Sequence, residues 1–432
     1  MSSERTTSSL LDHYEVRSGL SKPAKDFGSG YPFLTFKDVF YNYFTPESLG
    51  DFVQSTQKER EGCSILRGDV FLTRTSETMH ELGMSCVALR DYKDATFNGF
   101  CKRLRPKPES DLLPEYVGYY LRSPKFRQTM LAMSTMSTRA SLNNEMIGRL
   151  EISFPSRKSQ IQISEILKSL DDRISLLRET NTTLEAIAQA LFKSWFVDFD
   201  PVHAKMQGRA PEVMDEATAA LFPDNFEDSE LGPVPKVWQV KSLDAVASFL
   251  NGLALQKFPP TGDNDLPVIK IAQLRKGDTV GADLASRSIK PEYVVQNGDV
   301  LFSWSGSLEV EIWCGGEGAL NQHLFKVTSA AFPKWFYFLW SRHHLEHFRQ
   351  VAASKATTMG HIQRAHLTGA KVLVPSDGVL NAANSVLEPI MQRVIENSLQ
   401  AFNLAAVRDT LLPRLISGQL RIYDKLTKTE GG

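Results

Sequence analysis

The side chains best suited to chemistry in this sequence lie in two pairs of loops, at matching places in its two halves. One loop of each half follows a Gly-Asp-Val segment and covers residues 73–77 and 303–307. The other precedes a terminal strand and covers 134–139 and 354–358. Hydroxyls and backbone amides bind phosphates, while Arg, Lys, Gln and Asn can contact base edges in the major groove. One such residue alone would be ordinary loop surface, but their recurrence in both halves favours a binding role for the set.

A basic cluster at residues 102–107 adds cations to the first half. Together with the loops it contributes to a set of candidate DNA-contacting residues, drawn from both halves. In the first half the candidates are Arg67, Thr73, Arg74, Thr75, Lys102, Arg103, Arg105, Thr135, Ser137, Thr138 and Arg139. In the second half they are Lys257, Lys270, Ser303, Trp304, Ser305, Gln322, His323, Lys355, Thr357, Thr358 and Gln363.

The sequence carries no recognisable motif for catalysis. An adenine or cytosine methyltransferase would need a Gly-rich cofactor loop and an Asn/Asp-Pro-Pro-aromatic strand end, and neither is present. There is no Gly-x-x-x-x-Gly-Lys-Ser/Thr motif, and Gly-Gly-Glu-Gly at 315–318 is interpreted as a turn. His343 and His347 are one helical turn apart, but no third ligand has the spacing of a metal site. We therefore predict a non-catalytic chain with no metal and no cofactor of its own.

The composition excludes a strong overall electrostatic attraction to DNA or to membranes. The chain has 49 Lys and Arg against 50 Asp and Glu, which gives a net charge of −1. An acidic segment at 198–230 can offset more basic domains, so local patches must supply any attraction to phosphate. The four cysteines are scattered and the N-terminus lacks a hydrophobic signal core, which predicts a soluble, cytoplasmic protein with reduced thiols.

An internal repeat with a shift of 220 residues determines where these side chains lie. Residues 134–156 align with 354–376, and Leu184 aligns with Leu404 at the same shift. Each half begins with short apolar strands and Gly-containing turns, continues into a helix, and closes with a strand that ends in Pro. The chain is therefore predicted to be α+β, with two similar mixed α/β domains related by a pseudo-twofold repeat.

After each closing Pro, apolar residues recur in steps of three and four, which is the pattern of a coiled-coil seam. The two long helices are predicted to pair in an antiparallel manner, since that arrangement closes a twofold molecule. In this register Asn181 meets Asn397, and a buried Asn pair can fix the register. The alternative is that both Asn side chains reach solvent and have no role. Arg408 would lie near Leu170 with its guanidinium directed to solvent, and Pro389 would start or bend the second helix.

These patterns divide the chain into two recognition domains, two helical spacers, an acidic linker and a tail. The expected segments are domain 1 at 1–155, the first helical region at 156–200, the linker at 201–232, domain 2 at 233–376, the second helical region at 377–420, and the tail at 421–432.

The chain resembles the specificity (S) subunits of type I restriction-modification enzymes over almost its whole length. Its most specific stretch is LEAIAQALFKSWFVDFDPV at 184–202, which is similar to the family's central conserved region. Further likeness lies at 32–39, in both Gly-Asp-Val elements, and at 411–418, which resembles the family's C-terminal helix end. The family's Trp-containing lead-in strand is present at 237–240, but it is hard to find before Ser18 in the first half.

The resemblance implies two target-recognition domains that each bind one half of a bipartite, asymmetric DNA target, with the paired helices as a ruler for the spacer. It implies double-stranded DNA, two modification subunits and restriction subunits as partners. S-adenosylmethionine, ATP and Mg would bind to those partner subunits, which would methylate adenine at N6 and cleave DNA. Two other interpretations compete: a coiled-coil scaffold that binds no DNA, and the specificity part of a single-chain restriction-methylation enzyme.

Overall fold

The computed structural model describes residues 5–75, 82–134, 141–354 and 360–422, without the side chain of Ser134. The chain divides into two units, one made of residues 1–172 with 405–432 and the other of residues 173–404. Each unit contains one copy of the repeat and parts of two long helices.

The first copy is a mixed domain of short strands and helices, followed by the long helix α7 (Arg157–Phe196). Its strands are β1 (Thr6–Ser9), β2 (Tyr14–Ser18), β3 (Phe27–Leu34), β4 (Asp51–Val53), β5 (Val70–Thr73), β6 (Ser85–Val87), β7 (Thr96–Phe97), β8 (Cys101–Pro106) and β9 (Glu151–Phe154). Its helices are α1 (Leu10–His13), α2 (Phe36–Tyr41), α3 (Gln57–Gly62), α4 (Pro114–Arg122), α5 (Pro124–Ser134) and α6 (Asn144–Gly148).

The second copy follows two short helices, α8 (Asp200–Met206) and α9 (Glu216–Leu221), and a hairpin of β10 (Phe226–Ser229) and β11 (Gly232–Pro235). Its strands are β12 (Gln239–Ser242), β13 (Ser248–Asn251), β14 (Leu266–Ile269), β15 (Leu284–Ala285), β16 (Val294–Val295), β17 (Val300–Ser303), β18 (Val310–Ile312), β19 (Gly318–Leu320), β20 (Leu324–Thr328) and β21 (Lys371–Val374). Its helices are α10 (Leu243–Val246), α11 (Ile271–Lys276), α12 (Lys334–Ser354) and α13 (Arg364–Gly369). The last helix, α14 (Asp377–Ser417), continues through Pro389, so this proline does not start it. Among the described residues, no helix combines the length and apolarity needed to cross a bilayer.

Both copies have the same sheet topology, which is the structural form of the sequence repeat. The first contains an antiparallel sheet of order β2-β8-β5-β6, and the second contains one of order β13-β20-β17-β18. A second sheet has the order β4-β3-β7 in the first copy and β15-β14-β19-β16 in the second. In both, one internal pair is parallel, β3 with β7 and β14 with β19. The predicted α+β fold class is confirmed.

The opening strand of the first copy, which is hard to find in the sequence, is β1. It pairs with β9 in an antiparallel manner, as β12 pairs with β21 in the second copy. Immediately before β1, Arg5 occupies the place that Trp238 has before β12. The Arg5 guanidinium donates to the Tyr116 hydroxyl at 2.9 Å and to the Ser153 carbonyl at 2.7 Å, whereas Trp238 is buried in an apolar cluster. The loss of the Trp explains why the sequence did not reveal this strand.

The Asp of each Gly-Asp-Val element fastens the turn before a central strand. Asp69 accepts the backbone N–H of the residue three positions earlier at 2.7 Å and pairs with Arg105 of β8 at 2.6 Å. Asp299 accepts the equivalent N–H at 2.8 Å and pairs with Lys326 of β20 at 2.7 Å. The recurrence of this motif is therefore explained by the architecture of the sheet.

The end of each long helix completes the core of a domain. In the first unit, Leu412 and Leu415 of α14 share an apolar cluster with residues of α4 and β5. In the second unit, Phe192 and Phe196 of α7 share a cluster with residues of α12 and β17. Burial of side chains of this size contributes about 1.5–3 kcal/mol each, so the helix ends are substantial parts of the domain cores.

Within the second unit, α7 and α14 contact each other through a polar pair in an otherwise apolar seam. Asn397 donates to Oδ1 of Asn181 at 2.9 Å. Asn181 in turn donates to the Val394 carbonyl and to the Ser398 hydroxyl, both at 2.9 Å. Asn397 is only 6% exposed. The two Asn side chains therefore face each other and the helix backbone.

Within the first unit, the guanidinium of Arg408 is not directed to solvent, contrary to the expectation from the sequence. It pairs with Asp171 of α7 at 2.7 Å, and Tyr119 of α4 donates to the same carboxylate at 2.7 Å. Burial disfavours the charged guanidinium, but the hydrogen bond and charge of Asp171 hold the pKa of Arg408 above its usual value. A charged contact thus joins both long helices to the first domain.

Replacing Gly19 with Ala is expected to destabilise the first domain. A Cβ at this position would lie 2.2 Å from the Asn98 carbonyl oxygen, and Gly252 has the same relation to Asn321 in the second copy. Overpacking of this kind costs about 1–3 kcal/mol, which we expect as the fall in the free energy of unfolding measured by denaturant titration. Gly50→Ala is the matched control, because open space surrounds that position. Equal stability of the two variants would contradict the close approach.

Candidate nucleic-acid interface

A short bridge between two loops forms one end of the first domain. Thr75 pairs with Ser141 in an isolated β-bridge. The Arg74 N–H donates to the Phe100 carbonyl at 2.7 Å, and the Leu142 N–H donates to the Arg74 carbonyl at 2.8 Å. These bonds bring together the ends of three chain segments, 74–75, 98–102 and 141–144, which we call the first bridge edge.

The second domain has the same backbone arrangement with different side chains. Ser305 pairs with His361 in an isolated bridge. The Trp304 N–H donates to the His323 carbonyl at 3.3 Å, and the Ile362 N–H donates to the Trp304 carbonyl at 2.9 Å. Segments 304–305, 321–323 and 361–363 form the second bridge edge. By this matched bonding, Trp304 corresponds to Arg74, His323 to Phe100, and His361 to Ser141.

Each bridge edge rests on a turn that an Asn side chain stabilises. Oδ1 of Asn98 accepts the N–H of Phe100 at 2.8 Å, and Oδ1 of Asn321 accepts the N–H of His323 at 3.2 Å. Each Asn also forms an isolated parallel β-bridge, Asn98 with Leu20 and Asn321 with the corresponding Leu253. The backbone of the two edges is therefore held by equivalent contacts, while the side chains they present are unlike.

The first bridge edge is cationic and carries an exposed aromatic ring. Arg74 is exposed, and the Lys102 ammonium donates to the Ser18 hydroxyl at 3.0 Å and to Oδ1 of Asn144 at 3.2 Å. Partial burial and then the nearby charge of Arg74 lower the pKa of Lys102. The ring of Phe100, on the same edge, is 61% exposed. Cations next to an apolar ring suit phosphates together with a base surface.

The second bridge edge is aromatic and carries imidazole, amide and hydroxyl groups. The Trp304 indole N–H donates to Oδ1 of Asn251 at 3.0 Å and to the Gln322 carbonyl at 3.2 Å. Its ring centroid lies 5.7 Å from that of His323 and 6.4 Å from that of His361. The Ser305 hydroxyl and Nδ1 of His323 share a hydrogen bond of 3.0 Å. Because Ser305 is only 4% exposed, the groups of this edge that can discriminate base edges by hydrogen bonding are the amide of Gln322 and the imidazoles.

Several predicted residues have partners inside their own domain. Thr73 and Ser303 are fully buried, and their hydroxyls accept N–H groups across the strand turn at 2.9 Å and 2.7 Å. Arg103 is 4% exposed and donates to the Ser64 carbonyl at 2.6 Å, and its pKa is lowered by burial. Arg105 binds Asp69 with two hydrogen bonds, of 2.8 and 2.6 Å. These contacts occupy the side chains in the described structure.

The remaining candidates are distributed as follows. Arg67 pairs with Glu115 at 2.6 Å, and Lys270 pairs with Asp283. Lys257 is exposed at the end of a 3₁₀ turn, and Gln363 is exposed at the start of α13. Candidates that fall outside the described residues are Thr135, Ser137, Thr138, Arg139, Lys355, Thr357 and Thr358.

The bridge edges also contain residues that sequence reasoning missed, including Phe100, Asn144 and His361, and Asn251 contacts the second edge through Trp304. The correspondence of Phe100 with His323 requires a shift of 223 residues, while the preceding strands require 230 for Val70 and Val300. The sequence contains this correspondence, but it lies between gaps in the alignment of the two halves.

A metal centre is not found among the described residues, where no three His, Cys, Asp or Glu side chains are grouped for one. The neighbouring His residues of α12 are accounted for by packing. His344 hydrogen-bonds the Lys371 carbonyl at 2.8 Å, and burial lowers its pKa to about 4. His343 lies with its ring against Trp340, at a centroid distance of 5.4 Å.

The known proteins to which this chain is similar are described as specificity domains or specificity subunits of type I restriction systems. Residues 10–186 match the family described as the Type I restriction modification DNA specificity domain. The specificity subunit of the type I restriction enzyme MjaIX from Methanocaldococcus jannaschii is 24% identical over 431 residues, which cover 96% of this chain and 93% of that protein. The HindI specificity subunit from Haemophilus influenzae is 25% identical, covering 72% and 78%. The crystal structure of a type I restriction-modification S subunit from M. genitalium is similar in fold, with a TM-score of 0.50, 13% identity and 96% of each chain covered.

Replacing Arg74 with Ala is expected to weaken DNA binding and to reduce its salt dependence. Each phosphate contact releases counterions, so losing one contact reduces the slope of log affinity against log salt by about 1. Fluorescence anisotropy with a DNA duplex across a salt series measures this slope. Arg90→Ala is the control, because Arg90 is an exposed cation of the same domain that pairs with Glu47 at 2.7 Å. Equal slopes for the two variants would place Arg74 outside the interface.

Proposed function

Because residues 10–186 match the specificity-domain family and the chain is similar to specificity subunits of type I restriction enzymes, we propose that it is such a subunit and that its two domains each read one half of a bipartite, asymmetric DNA target. The chain is the non-catalytic subunit that recognises DNA, and it assembles with the other subunits of the enzyme. The halves of the target differ because the two bridge edges differ in chemistry.

One observation carries this proposal: the two domains hold unlike side chains on a matched backbone frame. The frame includes the two isolated bridges, Thr75 with Ser141 and Ser305 with His361. The same backbone frame in both domains indicates that both dock on DNA in the same way, since contacts with the sugar-phosphate backbone position a protein on the duplex. Different side chains at corresponding positions then select different bases.

The first bridge edge would bind through charge and apolar contact. Arg74 can donate two hydrogen bonds to the O6 and N7 of a guanine, or it can bind phosphate. Lys102 adds a second cation beside it, and Phe100 can contact the methyl group of a thymine. The second bridge edge would depend more on hydrogen bonds from His323 and Gln322, because its segments contain no Lys or Arg side chain.

The paired segments of α7 and α14 would set the spacer between the half-sites. Their polar contacts, Asn181 with Asn397 and Asp171 with Arg408, fix the register in which the helices pack. A helix rises 1.5 Å per residue and DNA about 3.4 Å per base pair, so helix length translates into spacer length.

The partners implied by this role are double-stranded DNA, two modification subunits and the restriction subunits. S-adenosylmethionine would bind the modification subunits, which methylate adenine at N6. ATP and Mg would bind the restriction subunits, which move and cleave DNA. Because the substrate is DNA, we expect the assembled enzyme to work in the cytoplasm.

Deleting the gene is expected to remove one bipartite methylation motif from the host genome. Single-molecule sequencing that detects N6-methyladenine, with and without the gene, identifies the motif. Reintroduction of the wild-type gene should restore it. An unchanged methylation pattern in a strain with active modification subunits would sink the proposed function.

Substitutions in one bridge edge should change one half-site only. With Gln322→Ala, we expect relaxed base preference in the half-site read by the second domain, by about 1–3 kcal/mol per lost base contact. Arg74→Ala should relax the other half-site in the same assay. The measurement is the methylated motif of cells that carry each variant. Relaxation of both half-sites by a single variant would contradict independent reading.

Shortening the helices should shorten the spacer without changing the half-sites. Deleting one heptad from each helix, 174–180 in α7 and 398–404 in α14, keeps the seam in phase and removes about 10 Å of helix. We expect the methylated motif to lose about three base pairs of spacer, from the rise of 3.4 Å per base pair. A single-helix deletion serves as the mismatched control and should abolish activity. An unaltered spacer would refute the ruler.

A further inference from the structure

Two polar contacts interrupt the apolar packing of the long helices, one in each unit. In the second unit, Asn397 donates to Asn181, which donates to the helix backbone. In the first unit, Asp171 pairs with Arg408, whose side chains are 24% and 18% exposed. Tyr119 donates a further hydrogen bond to Asp171, and burial together with the Asp171 charge raises the pKa of Tyr119. All these polar groups have partners.

The repeat shows what each polar residue replaces. At the shift of 220 residues, every one of the four corresponds to an apolar residue of the other helix, and that residue is buried. The corresponding pairs are Asp171 with Met391, Arg408 with Ala188, Asn181 with Ala401, and Asn397 with Leu177. The two helices therefore share most apolar residues along the seam. Where one helix has one of these polar residues, the other helix has an apolar residue at the corresponding position of the repeat.

We propose that these polar contacts make α7 select α14 of its own chain and reject α7 of a second copy. Helices that descend from one repeat share a seam, so each could also pair with itself. In the same register, two copies of α7 would place Asp171 against Ala188 and Asn181 against Leu177. Two copies of α14 would bury Arg408 and Asn397 against apolar residues in the same way.

The polar seam residues penalise self-pairing of a helix more than they stabilise the native pairing. In the native pairing each polar seam residue has a partner on the other helix, whereas in the self-pairing each of them loses that partner, although Arg408 keeps Asp409 of its own helix and Asp171 keeps Tyr119. Burying an unpaired charge or amide is strongly unfavourable, while replacing a buried ion pair by apolar residues is often neutral for stability. Polar seam residues therefore act on the choice of partner more than on stability. The inference concerns assembly and does not depend on the proposed DNA recognition.

In the intact protein α7 and α14 are covalently linked, which favours their pairing with each other. The test removes this advantage by cutting the chain. A protease site is inserted after Gly208, in an exposed segment between α8 and α9, and the purified protein is cut and incubated at increasing concentration. Native mass spectrometry then separates the 1:1 pair of fragments from pairs of identical fragments. The seam-matched variant gives each helix the residues of the other. It carries Asp171→Met, Arg408→Ala, Asn181→Ala and Asn397→Leu.

We expect the cut wild-type protein to remain a 1:1 pair. The seam-matched variant should form identical-fragment pairs at a share at least about tenfold higher, a change equivalent to ~1.4 kcal/mol. The control Asp171→Glu with Arg408→Lys keeps a charge pair and the Asn pair, and it should behave as the wild type does. The apolar helix ends are the same in all three proteins, so the comparison isolates the polar positions.

Equal shares of identical-fragment pairs in the wild-type and seam-matched proteins, whether small or large, would overturn the proposal. A second measurement uses the uncut chain, in case the four substitutions unfold the protein. Asp171→Met and Arg408→Ala should each lower the melting temperature, because each leaves a partly buried charge without its partner on the other helix. Combining them should restore most of the loss. Additive losses in the double variant would also overturn the proposal.

Discussion

The packing of α7 against α14 is the interaction on which the rest of the structure depends. In the first unit, the core of the domain is completed by Leu412 and Leu415, which lie about 340 residues after the domain's own β5. In the second unit, Phe192 and Phe196 supply equivalent apolar surface to a domain that follows them in the chain. Neither domain core is therefore complete on its own stretch of sequence. Forming these contacts requires long-range closure of the chain, whose entropic cost must be met by burial of the helix ends.

The backbone that positions the bridge edges is held in the same way in both domains, whereas the side chains that the edges present differ. The turn at Asn98 and its counterpart at Asn321 are held by the same hydrogen bonds, and Gly19 and Gly252 leave space for the same close approach. Buried carboxylates, such as that of Asp69, fasten the strands behind them. Rigid positioning of this kind reduces the entropy lost when a side chain contacts a base, which supports affinity and selectivity together.

Much of the fold could be predicted from the sequence, because periodicity and duplication are properties of the chain itself. The 220-residue shift and the seam steps led to the α+β class and to the pair of long helices. Other features depend on contacts between distant residues, which a linear pattern does not contain. Arg5 in place of a Trp concealed β1, and the seam alone could not show that Asp171 reaches Arg408. The sequence pattern predicts loop hydroxyls at Thr73 and Ser303, but both residues end a buried strand. The set of DNA-contacting residues remains a prediction, although the matched bridges narrow it to two edges.

The separation of frame from side chains also bears on how such a protein can change its target. Exposed substitutions away from buried contacts usually alter stability by less than about 0.5 kcal/mol. Arg74 and Phe100 lie at exposed positions of the first edge, so replacing them should have little effect on folding, and under the proposed function it would change the chemistry offered to DNA. The opposite holds for Asp171 and Arg408, whose replacement one at a time removes the cross-helix partner of a partly buried charge in the helix seam. Selection on the target can therefore act on the edges, while selection on assembly preserves the seam, because the two sets of residues share no contacts within the described hydrogen bonds and ion pairs.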